Sequence, residues 1–377
     1  MAAEQELDVS NRSWLHMISA FRALEPPDAV ISIARELGGG SITESVQSCI
    51  WRHCISKADL KWQGPYLKRF LKKLIFEIES GGGLVLDELY EQYASYMISL
   101  QDDEADQGNS RVLKTITFLF PNGDSSGFGS CLENLEVPLR CSVNMLEGDT
   151  GCSIWPSSLF LSEFIISYPE LFANKSCFEF GSGVGLVGVC LAYVKASKVI
   201  LSDGDLSTLA NMKVNLELNH LSPRNHTLGN LLHHDMVNIV CLPWESASED
   251  DLRCFAPDVI LGADIIYDPS YLPHLVRVLV VLLKNSHSDS EINNSREFCA
   301  PQEEKTTGRV LPNGGLGRVA YFASVIRNID TFNCFVELAE GANLVVTDLT
   351  ENVRVSTFLP YLRSYPRSTI RLFRIHR

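Results

Sequence analysis

Residues 177–188 decide how this chain folds, and they read Cys-Phe-Glu-Phe-Gly-Ser-Gly-Val-Gly-Leu-Val-Gly. A short apolar run breaks into alternating glycines and then continues with helical spacing, which predicts a strand, a tight turn and a helix. Glycines allow a positive φ and leave no Cβ between the main chain and a ligand. Because helix amides that follow such a turn favour electron-rich groups, the stretch predicts a cradle for a nucleoside or a phosphate.

The composition of the chain bounds its size, location and partners. Its 377 residues, 45% of them hydrophobic, suffice for two domains. No basic start followed by an apolar run and no membrane-length apolar stretch is visible, so we expect neither secretion nor a membrane. The 11 cysteines lack a Cys-x-x-Cys pair, which disfavours disulfides and a metal site and favours a cytoplasmic protein. A net charge of −14 disfavours nucleic acid as a partner and suits a basic target.

Residues 1–110 are predicted to form a helical amino-terminal domain. Apolar residues recur three and four positions apart in segment 66–75, and we interpret the basic residues between them as a solvated face. Three glycines at 81–83 separate this helix from another that begins near Leu86. The acidic stretch 101–110 is predicted to be a linker.

From residue 111 the apolar pattern changes from helical to alternating. Segments 115–120 and 137–143 are predicted strands of a β-containing connecting region, 111–153. Pro156 suits the first turn of a helix that runs to about residue 168. We expect this helix to open a third region, 154–377.

Strand and helix patterns alternate through the third region. The predicted strands are 176–181, 198–203, 226–235, 257–264, 318–327, 343–349 and 369–376, and the predicted helices are 184–194, 205–220, 270–285 and 329–340. This order predicts a Rossmann-like α/β fold with a mostly parallel sheet that binds ligands at the carboxyl ends of its strands. The last two strands are joined too briefly for a crossover, which predicts an antiparallel last strand. The polar segment 285–317 is predicted to be a disordered insertion.

Two further motifs lie at predicted strand ends. Asp203 ends the second strand about 20 residues beyond the glycines, where a carboxylate can accept from ribose hydroxyls, and Asp205 is interpreted as a helix cap. Residues 257–269 read Pro-Asp-Val-Ile-Leu-Gly-Ala-Asp-Ile-Ile-Tyr-Asp-Pro, an apolar strand that ends near Ala263. Asp264 and Tyr267 are therefore expected over the carboxyl edge of the sheet, beside the glycine turn.

The glycine turn fits the patterns of two families. Gly183 to Gly188 fits the G-x-G-x-x-G of dinucleotide-binding dehydrogenases, whereas Glu179 to Gly185 fits the acidic-x-G-x-G-x-G of adenosylmethionine-dependent methyltransferases. With Trp155-Pro156, Asp203, Trp244 and the run 263–267 in the same order, the chain resembles the seven-β-strand protein-lysine methyltransferases that carry Asp-x-x-Tyr after strand four. Its long helical amino-terminal region is similar to that of one group among them, the family with sequence similarity 86, which methylates elongation factor 2.

The resemblance implies a seven-stranded methyltransferase sheet, S-adenosyl-L-methionine as the cofactor, and a lysine of elongation factor 2 as the acceptor. Together with the residue patterns it predicts these cofactor contacts: Trp155, Glu179, Gly181, Ser182, Gly183, Gly185, Asp203, Asp235, Trp244 and Ala263. Asp264 is predicted to bind the lysine and Tyr267 to orient its amine, with no metal. Two roles stay open for Asp235, an adenine contact or a turn cap, and Gly188 is assigned to helix packing.

The loop at residues 264–267 indicates the class of acceptor. Methyltransferases that act on planar amides or adenine typically carry Asn/Asp-Pro-Pro-Tyr/Phe here, so Asp264-Ile265-Ile266-Tyr267 favours an aliphatic amine. We expect a monomer whose partner is its protein substrate. The alternatives are a lysine of another protein, a catalytically silent binding scaffold, and an NAD-dependent dehydrogenase. The dehydrogenase is disfavoured because its glycines would begin two residues too late after the strand.

Overall fold

The structure is a computed structural model, and it describes residues 12–99, 111–121, 134–142, 150–221, 224–225, 236–284 and 317–377. The chain forms two compact units. The first comprises residues 1–154, 210–221 and 357–367, and the second comprises residues 155–209, 222–356 and 368–377. The predicted domain limits of 1–110, 111–153 and 154–377 stay a prediction.

The helices of the described residues fall into an amino-terminal group and a group that alternates with strands. The amino-terminal helices are α1 (Arg12–Arg22), α2 (Pro27–Leu37), α3 (Glu44–His53), α4 (Leu60–Ser80) and α5 (Asp87–Ser99). The later helices are α6 (Pro156–Ser167), α7 (Leu186–Tyr193), α8 (Leu206–Leu218), α9 (Glu249–Phe255), α10 (Leu272–Leu283) and α11 (Ile329–Gly341). The helical character predicted for the amino-terminal region is confirmed.

Helix α4 shows why the first unit is helical. Asp59 caps its start, accepting a hydrogen bond from the Lys61 amide at 2.9 Å. Its buried face packs Phe70 edge-to-face against Phe21 of α1, with ring centroids 5.1 Å apart. Gly81 follows its last residue, so the predicted break at the three glycines is confirmed.

A two-stranded antiparallel ribbon, β1 (Arg111–Leu119) and β2 (Asn134–Ser142), belongs to the first unit. Asparagine side chains spaced four residues apart, one on α8 and one directly after it, bind the main chain of β2. Asn215 accepts from the Arg140 amide at 2.6 Å and donates to its carbonyl at 3.1 Å, and Asn219 donates to the Pro138 carbonyl at 2.8 Å. Side-chain amides thus replace a third strand along part of this edge.

Residues 357–367 also belong to the first unit, although they lie near the end of the chain. The buried Tyr361 hydroxyl accepts from the Thr117 amide at 2.7 Å. Glu25, also buried, accepts from the Ser364 amide at 2.9 Å. Three distant parts of the sequence therefore share one core.

The second unit is built on a mixed sheet. Its strands are β3 (Ser176–Phe180), β4 (Lys198–Asp203), β5 (Arg224–Asn225), β6 (Val237–Cys241), β7 (Val259–Ala263), β8 (Val319–Val325), β9 (Val345–Asp348) and β10 (Ile370–His376). They lie in the order β5-β6-β4-β3-β7-β8-β10-β9. Pairs along β5 to β8 are parallel, while β10 runs antiparallel to both of its neighbours.

This sheet confirms the predicted fold class. Seven strands, β6 to β9 in sheet order, form the mostly parallel sheet with one antiparallel last strand, and the two-residue β5 extends its edge. The strand β6 at 237–241 was not predicted. The strand predicted at 226–235, together with Asp235, lies outside the described residues, as do residues 285–316 of the predicted insertion.

Helix α7 packs closely on the sheet at Gly188. A Cβ at this position would lie 2.5 Å from the Leu201 Cδ1 of β4, so a larger residue would displace this buried side chain. The packing role predicted for Gly188 is confirmed. Within the described parts of the chain, no helix is long and apolar enough to cross a membrane.

Candidate active site

The candidate site lies at the carboxyl edge of the parallel strands in the second unit. Strand β3 has β4 on one side and β7 on the other, so the order of connections reverses there. Crevices that bind ligands form at such a reversal in α/β sheets. The glycine turn follows β3, Asp203 ends β4, and Asp264 follows β7. The topology thus brings the motifs predicted from sequence to one edge.

The turn between β3 and α7 has the backbone that the glycines predict. Gly181, Gly183 and Gly185 all have positive φ, at 56°, 52° and 84°. Residues with a side chain rarely adopt a positive φ, and a Cβ at Gly181 would lie 3.0 Å from the Ile265 Cγ2. The main chain of the turn therefore carries no side chains at these three positions, as a close ligand contact requires.

Glu179 and Ser182 support this turn from the protein interior. Both are buried, and the Ser182 hydroxyl accepts from the Ser202 amide at 3.0 Å. The Ser202 hydroxyl donates to the Glu179 carbonyl at 2.7 Å. Burial raises the pKa of the Glu179 carboxyl well above its usual range, opposed by a hydrogen bond from Ser182. No donor among the described residues reaches the Glu179 Oε2.

Asp203 connects the end of β4 to the glycine turn. Its Oδ2 accepts from the Gly183 amide and its Oδ1 from the Asp205 amide, each at 3.2 Å. Burial raises its pKa, and these amides and that of Gly204 oppose the rise. A carboxylate offers about four acceptor positions, so one stays open to a ligand hydroxyl. Asp205 accepts from the Thr208 amide at 2.7 Å, which confirms it as the cap of α8.

Asp264 is a buried carboxylate held in an unusual backbone conformation. Its φ is 55°, and its amide donates to the Ala323 carbonyl of β8 at 2.9 Å. The Oδ1 accepts from the Val325 amide at 3.1 Å and lies 3.4 Å from the Arg327 Nη1. The Oδ2 is buried, and no donor in the described part of the chain reaches it. Positive φ at a residue with a side chain is a form of strain often found at functional sites.

Tyr267 lies in the same loop but reaches solvent, with 60% of its surface exposed. Partial burial raises the pKa of its hydroxyl, and Tyr271, Asp203, Asp268 and Glu245 raise it further. Its surroundings are therefore acidic, and they include the carboxylate at the end of β4. An acidic, open surface beside a buried carboxylate suits a cationic ligand that arrives from solution.

The two tryptophans and Ala263 border this edge. Trp155 precedes Pro156 at the start of α6, as predicted, and the Arg327 Cζ lies 5.1 Å from its ring centroid. Trp244 packs edge-to-face on Phe180 of β3 at a centroid distance of 6.0 Å, and its carbonyl accepts from Arg277 at 2.8 Å. Ala263 is the partly exposed last residue of β7.

Arg327 is a residue of this site that the sequence reading missed. It follows β8 and precedes Asn328, the cap of α11. Its position after the strand beside β7 is the signal that would have found it, because neighbouring parallel strands end at one edge.

The residues present fit a nucleoside-bearing cofactor. The turn lacks Cβ atoms at three positive-φ glycines, an acceptor stands at the end of the next strand, and two partly buried aromatic residues border the edge. No group of three or more His, Cys, Asp or Glu side chains suited to a metal occurs among the described residues.

The fold and the site define a class of protein, and comparison with known proteins shows what the chain is similar to. Fold and site define a doubly wound α/β protein with a nucleoside-type crevice at its switch point. Residues 134–297 match the model of a family described as lysine methyltransferase. Over these residues the chain is similar to that family.

Three relatives illustrate the similarity. The chain is 33% identical to an uncharacterized protein of Dictyostelium discoideum, over 60% of this chain and 59% of that protein. It is 32% identical to the protein-lysine N-methyltransferase EEF2KMT of Homo sapiens, over 57% of this chain and 59% of the relative. The Bos taurus protein of the same name is 28% identical, over 74% and 80%. The chain thus spans about three fifths of the first two relatives.

Proposed function

We propose that the chain is an S-adenosyl-L-methionine-dependent protein-lysine N-methyltransferase. The observation that carries the proposal is that the segment matched by the family model also contains the residues of the candidate site. The segment matched by the lysine methyltransferase family, residues 134–297, contains the glycine turn, Asp203 and the Asp264-x-x-Tyr267 loop, which meet at one edge of the sheet.

The cofactor would be held by the main chain of the turn 181–185 and by Asp203, with Trp155, Trp244 and Ala263 at its borders. Glycine allows close approach, the carboxylate suits ribose hydroxyls, and an aromatic face suits a sulfonium or an adenine. When bound, adenosylmethionine supplies a methyl group on a positively charged sulfur. The cofactor contacts predicted for Glu179, Ser182 and Asp235 belong to the same proposal, and the buried Glu179 and Ser182 would also support the turn from the protein interior.

Asp264 and Tyr267 would handle the acceptor lysine. Asp264 is a buried carboxylate at the site's edge, so it attracts the ammonium and fixes its position. Tyr267 is exposed in the same loop and can orient the amine through its hydroxyl. Since methyl transfer needs the nitrogen aligned with the methyl carbon, positioning by these two side chains supplies much of the acceleration.

Elongation factor 2 is the acceptor that we propose. Relatives with 32% and 28% identity carry the name EEF2KMT. The resemblance of the helical amino-terminal region to the family with sequence similarity 86 supports the same acceptor. The acidic surroundings of Tyr267 suit a lysine in a basic segment and disfavour nucleic acid. We propose a cytoplasmic monomer, in line with the free cysteines of the described residues.

A labelling experiment tests the activity and the acceptor together. The protein is incubated with labelled adenosylmethionine in an extract from cells that lack the corresponding methyltransferase. One labelled protein of the size of elongation factor 2, identified by mass spectrometry, is the expected result. Label on another protein contradicts the proposed acceptor but keeps the proposed activity, and label on RNA contradicts both.

Calorimetry separates the alternatives. Binding of adenosylhomocysteine without binding of NAD is expected for the methyltransferase. Binding of NAD alone would indicate the dehydrogenase, and binding of neither would indicate a scaffold. The variant Asp264→Asn serves as the control in both experiments, because it should bind the cofactor product and transfer no methyl group.

A further inference from the structure

Arg327 brings a positive charge to the carboxylate that we assign to the substrate lysine. Its Nη1 lies 3.4 Å from the Asp264 Oδ1, and its Cζ lies 5.1 Å from the Trp155 ring centroid. The Asp264 side chain is 3% exposed, whereas that of Arg327 is 46% exposed. The guanidinium is therefore the more solvent-exposed partner of this pair.

The pair is arranged so that one carboxylate oxygen is occupied and the other is not. The Oδ1 has two neighbours, the Val325 amide at 3.1 Å and Arg327. The Oδ2 is buried, and no described residue donates to it. Among the described residues, Oδ2 is therefore the acceptor that is left for an amine, because the Val325 amide and Arg327 lie at Oδ1.

Methyl transfer poses a chemical problem at this carboxylate. A lysine side chain in water is an ammonium, with a pKa of about 10.4, and only the neutral amine has the lone pair that attacks. A lone carboxylate stabilises the charged form and so opposes the loss of the proton. A cation already paired with that carboxylate reverses the balance, because like charges disfavour each other.

We propose that Arg327 is a positioning residue that neutralises Asp264, so that the bound lysine loses its proton and reacts as the neutral amine. This inference rests on the proposed function. In the step itself one N–H bond of the ammonium breaks, its electron pair stays on nitrogen as the attacking lone pair, and the proton passes to bulk water. Trp155 keeps the guanidinium in place by a cation–π contact.

The pH dependence of the rate tests this charge effect. The other charged or titratable groups around the loop are Asp203, Glu245, Asp268, Tyr267 and Tyr271. Initial rates of label transfer to total protein of the methyltransferase-deficient extract are measured from pH 6.5 to 9.5, with adenosylmethionine saturating. The variants are Arg327→Gln, which removes the charge, and Arg327→Lys, which keeps it. Arg253→Gln on α9, an exposed arginine paired with Glu249, is the control.

We expect Arg327→Gln to be about tenfold slower than the wild type at pH 7 and to approach it within about threefold at pH 9.5, because one pH unit changes the neutral fraction tenfold. Arg327→Lys should keep the wild-type profile. Adenosylhomocysteine affinity and thermal midpoint should change little in either variant, which separates a charge effect from misfolding.

Three outcomes contradict different statements. A wild-type protein that labels no protein at any pH contradicts the proposed function itself. An active wild type with an Arg327→Gln profile of the same shape, whether lower or equal at every pH, contradicts the Arg327 inference alone. A shifted profile in Arg327→Lys as large as that in Arg327→Gln also contradicts it, because the shape of the side chain and not its charge would then matter.

Discussion

The glycine turn after β3 and the β1–β2 ribbon both carry main-chain groups that need partners outside a strand ladder, and they obtain them differently. In the turn, three positive-φ glycines within five residues set the path of the main chain, and the Asp203 carboxylate binds the Gly183 amide. In the ribbon, Asn215 of α8 and Asn219, which directly follows this helix, bind the main chain of residues 140 and 138.

This difference separates a region built for a ligand from a region built for stability. The three glycines of the turn carry no side chains, so a cofactor can approach the main chain there. The main chain of the ribbon has side-chain amides as partners at residues 138 and 140, so these main-chain groups are satisfied within the protein. We therefore expect changes at the sheet edge to alter binding and turnover, and changes at the ribbon to alter the free energy of unfolding.

The largest effect is expected for Asp264→Ala. Loss of the carboxylate should reduce methyl transfer by on the order of a thousandfold, the scale found when one electrostatic group at a reacting centre is removed. Affinity for adenosylhomocysteine, measured by calorimetry, should change by less than about fivefold, because the turn and Asp203 are intact. An equal loss of affinity and rate would contradict the division between acceptor and cofactor residues.

Asp264→Asn is the matched variant for this prediction. Asparagine tolerates the positive φ at this position and keeps an oxygen for the Val325 amide, so the local structure should survive. If the charge of Asp264 is what matters, Asp264→Asn should be as inactive as Asp264→Ala. Recovery of activity by asparagine would assign Asp264 a structural role at the edge.

The next largest effect is expected for Gly183→Ala. Its φ of 52° costs alanine roughly 1–2 kcal/mol, and relief of that strain moves the amide that binds Asp203. We expect adenosylhomocysteine affinity to fall at least about tenfold, since 1.4 kcal/mol corresponds to a factor of ten. Gly341→Ala at the end of α11 is the control, because a Cβ there meets no atom within 4 Å. Equal effects of both would remove the special role of the turn.

The α/β part of the fold could be predicted because its signals are local. Strands β3, β4, β7, β8, β9 and β10 all lie within their predicted limits. Apolar runs that end at glycine or aspartate mark β3, β4, β7 and β9, and the carboxyl-edge rule then places the ends of the parallel strands together. The residues of the glycine turn, Asp203 and Asp264 could be found for the same reason.

Other features depend on contacts between distant residues, and the sequence pattern carries no signal for them. The binding of β2 by Asn215, 75 positions away, and the inclusion of residues 357–367 in the first unit are of this kind. Strand β6 differs from the prediction although Val237, Ile239 and Val240 have high β-propensity. The apolar leucines at 231 and 232 favour a strand that ends at residue 235, before β6 begins. Arg327 was missed because no motif surrounds it.

Asn215→Ala tests the other side of the comparison. It removes the acceptor of the partly buried Arg140 amide and one of two amide donors to its carbonyl, which should lower the free energy of unfolding by about 1–3 kcal/mol. Urea unfolding measures this, and adenosylhomocysteine affinity well below the transition should be unchanged. Glu217→Ala, exposed on the same helix, should change stability by less than about 0.5 kcal/mol. A large loss of adenosylhomocysteine affinity in Asn215→Ala would contradict the statement that the ribbon serves stability and not cofactor binding.

The smallest effect is expected for Glu179→Gln, which probes a buried side chain beneath the glycine turn. Burial raises the pKa of Glu179 in the folded protein, so the unfolded chain releases this proton at a lower pH than the folded protein does. Between those two values the folded protein binds more protons, and stability falls as pH rises, by about 1 kcal/mol per pH unit. Glutamine cannot ionise, so the variant should lack this decline and be the more stable protein at neutral pH. Unfolding free energies from pH 4.5 to 7.5 measure the difference, and parallel curves for the two proteins would mean that Glu179 is ionised beneath the turn.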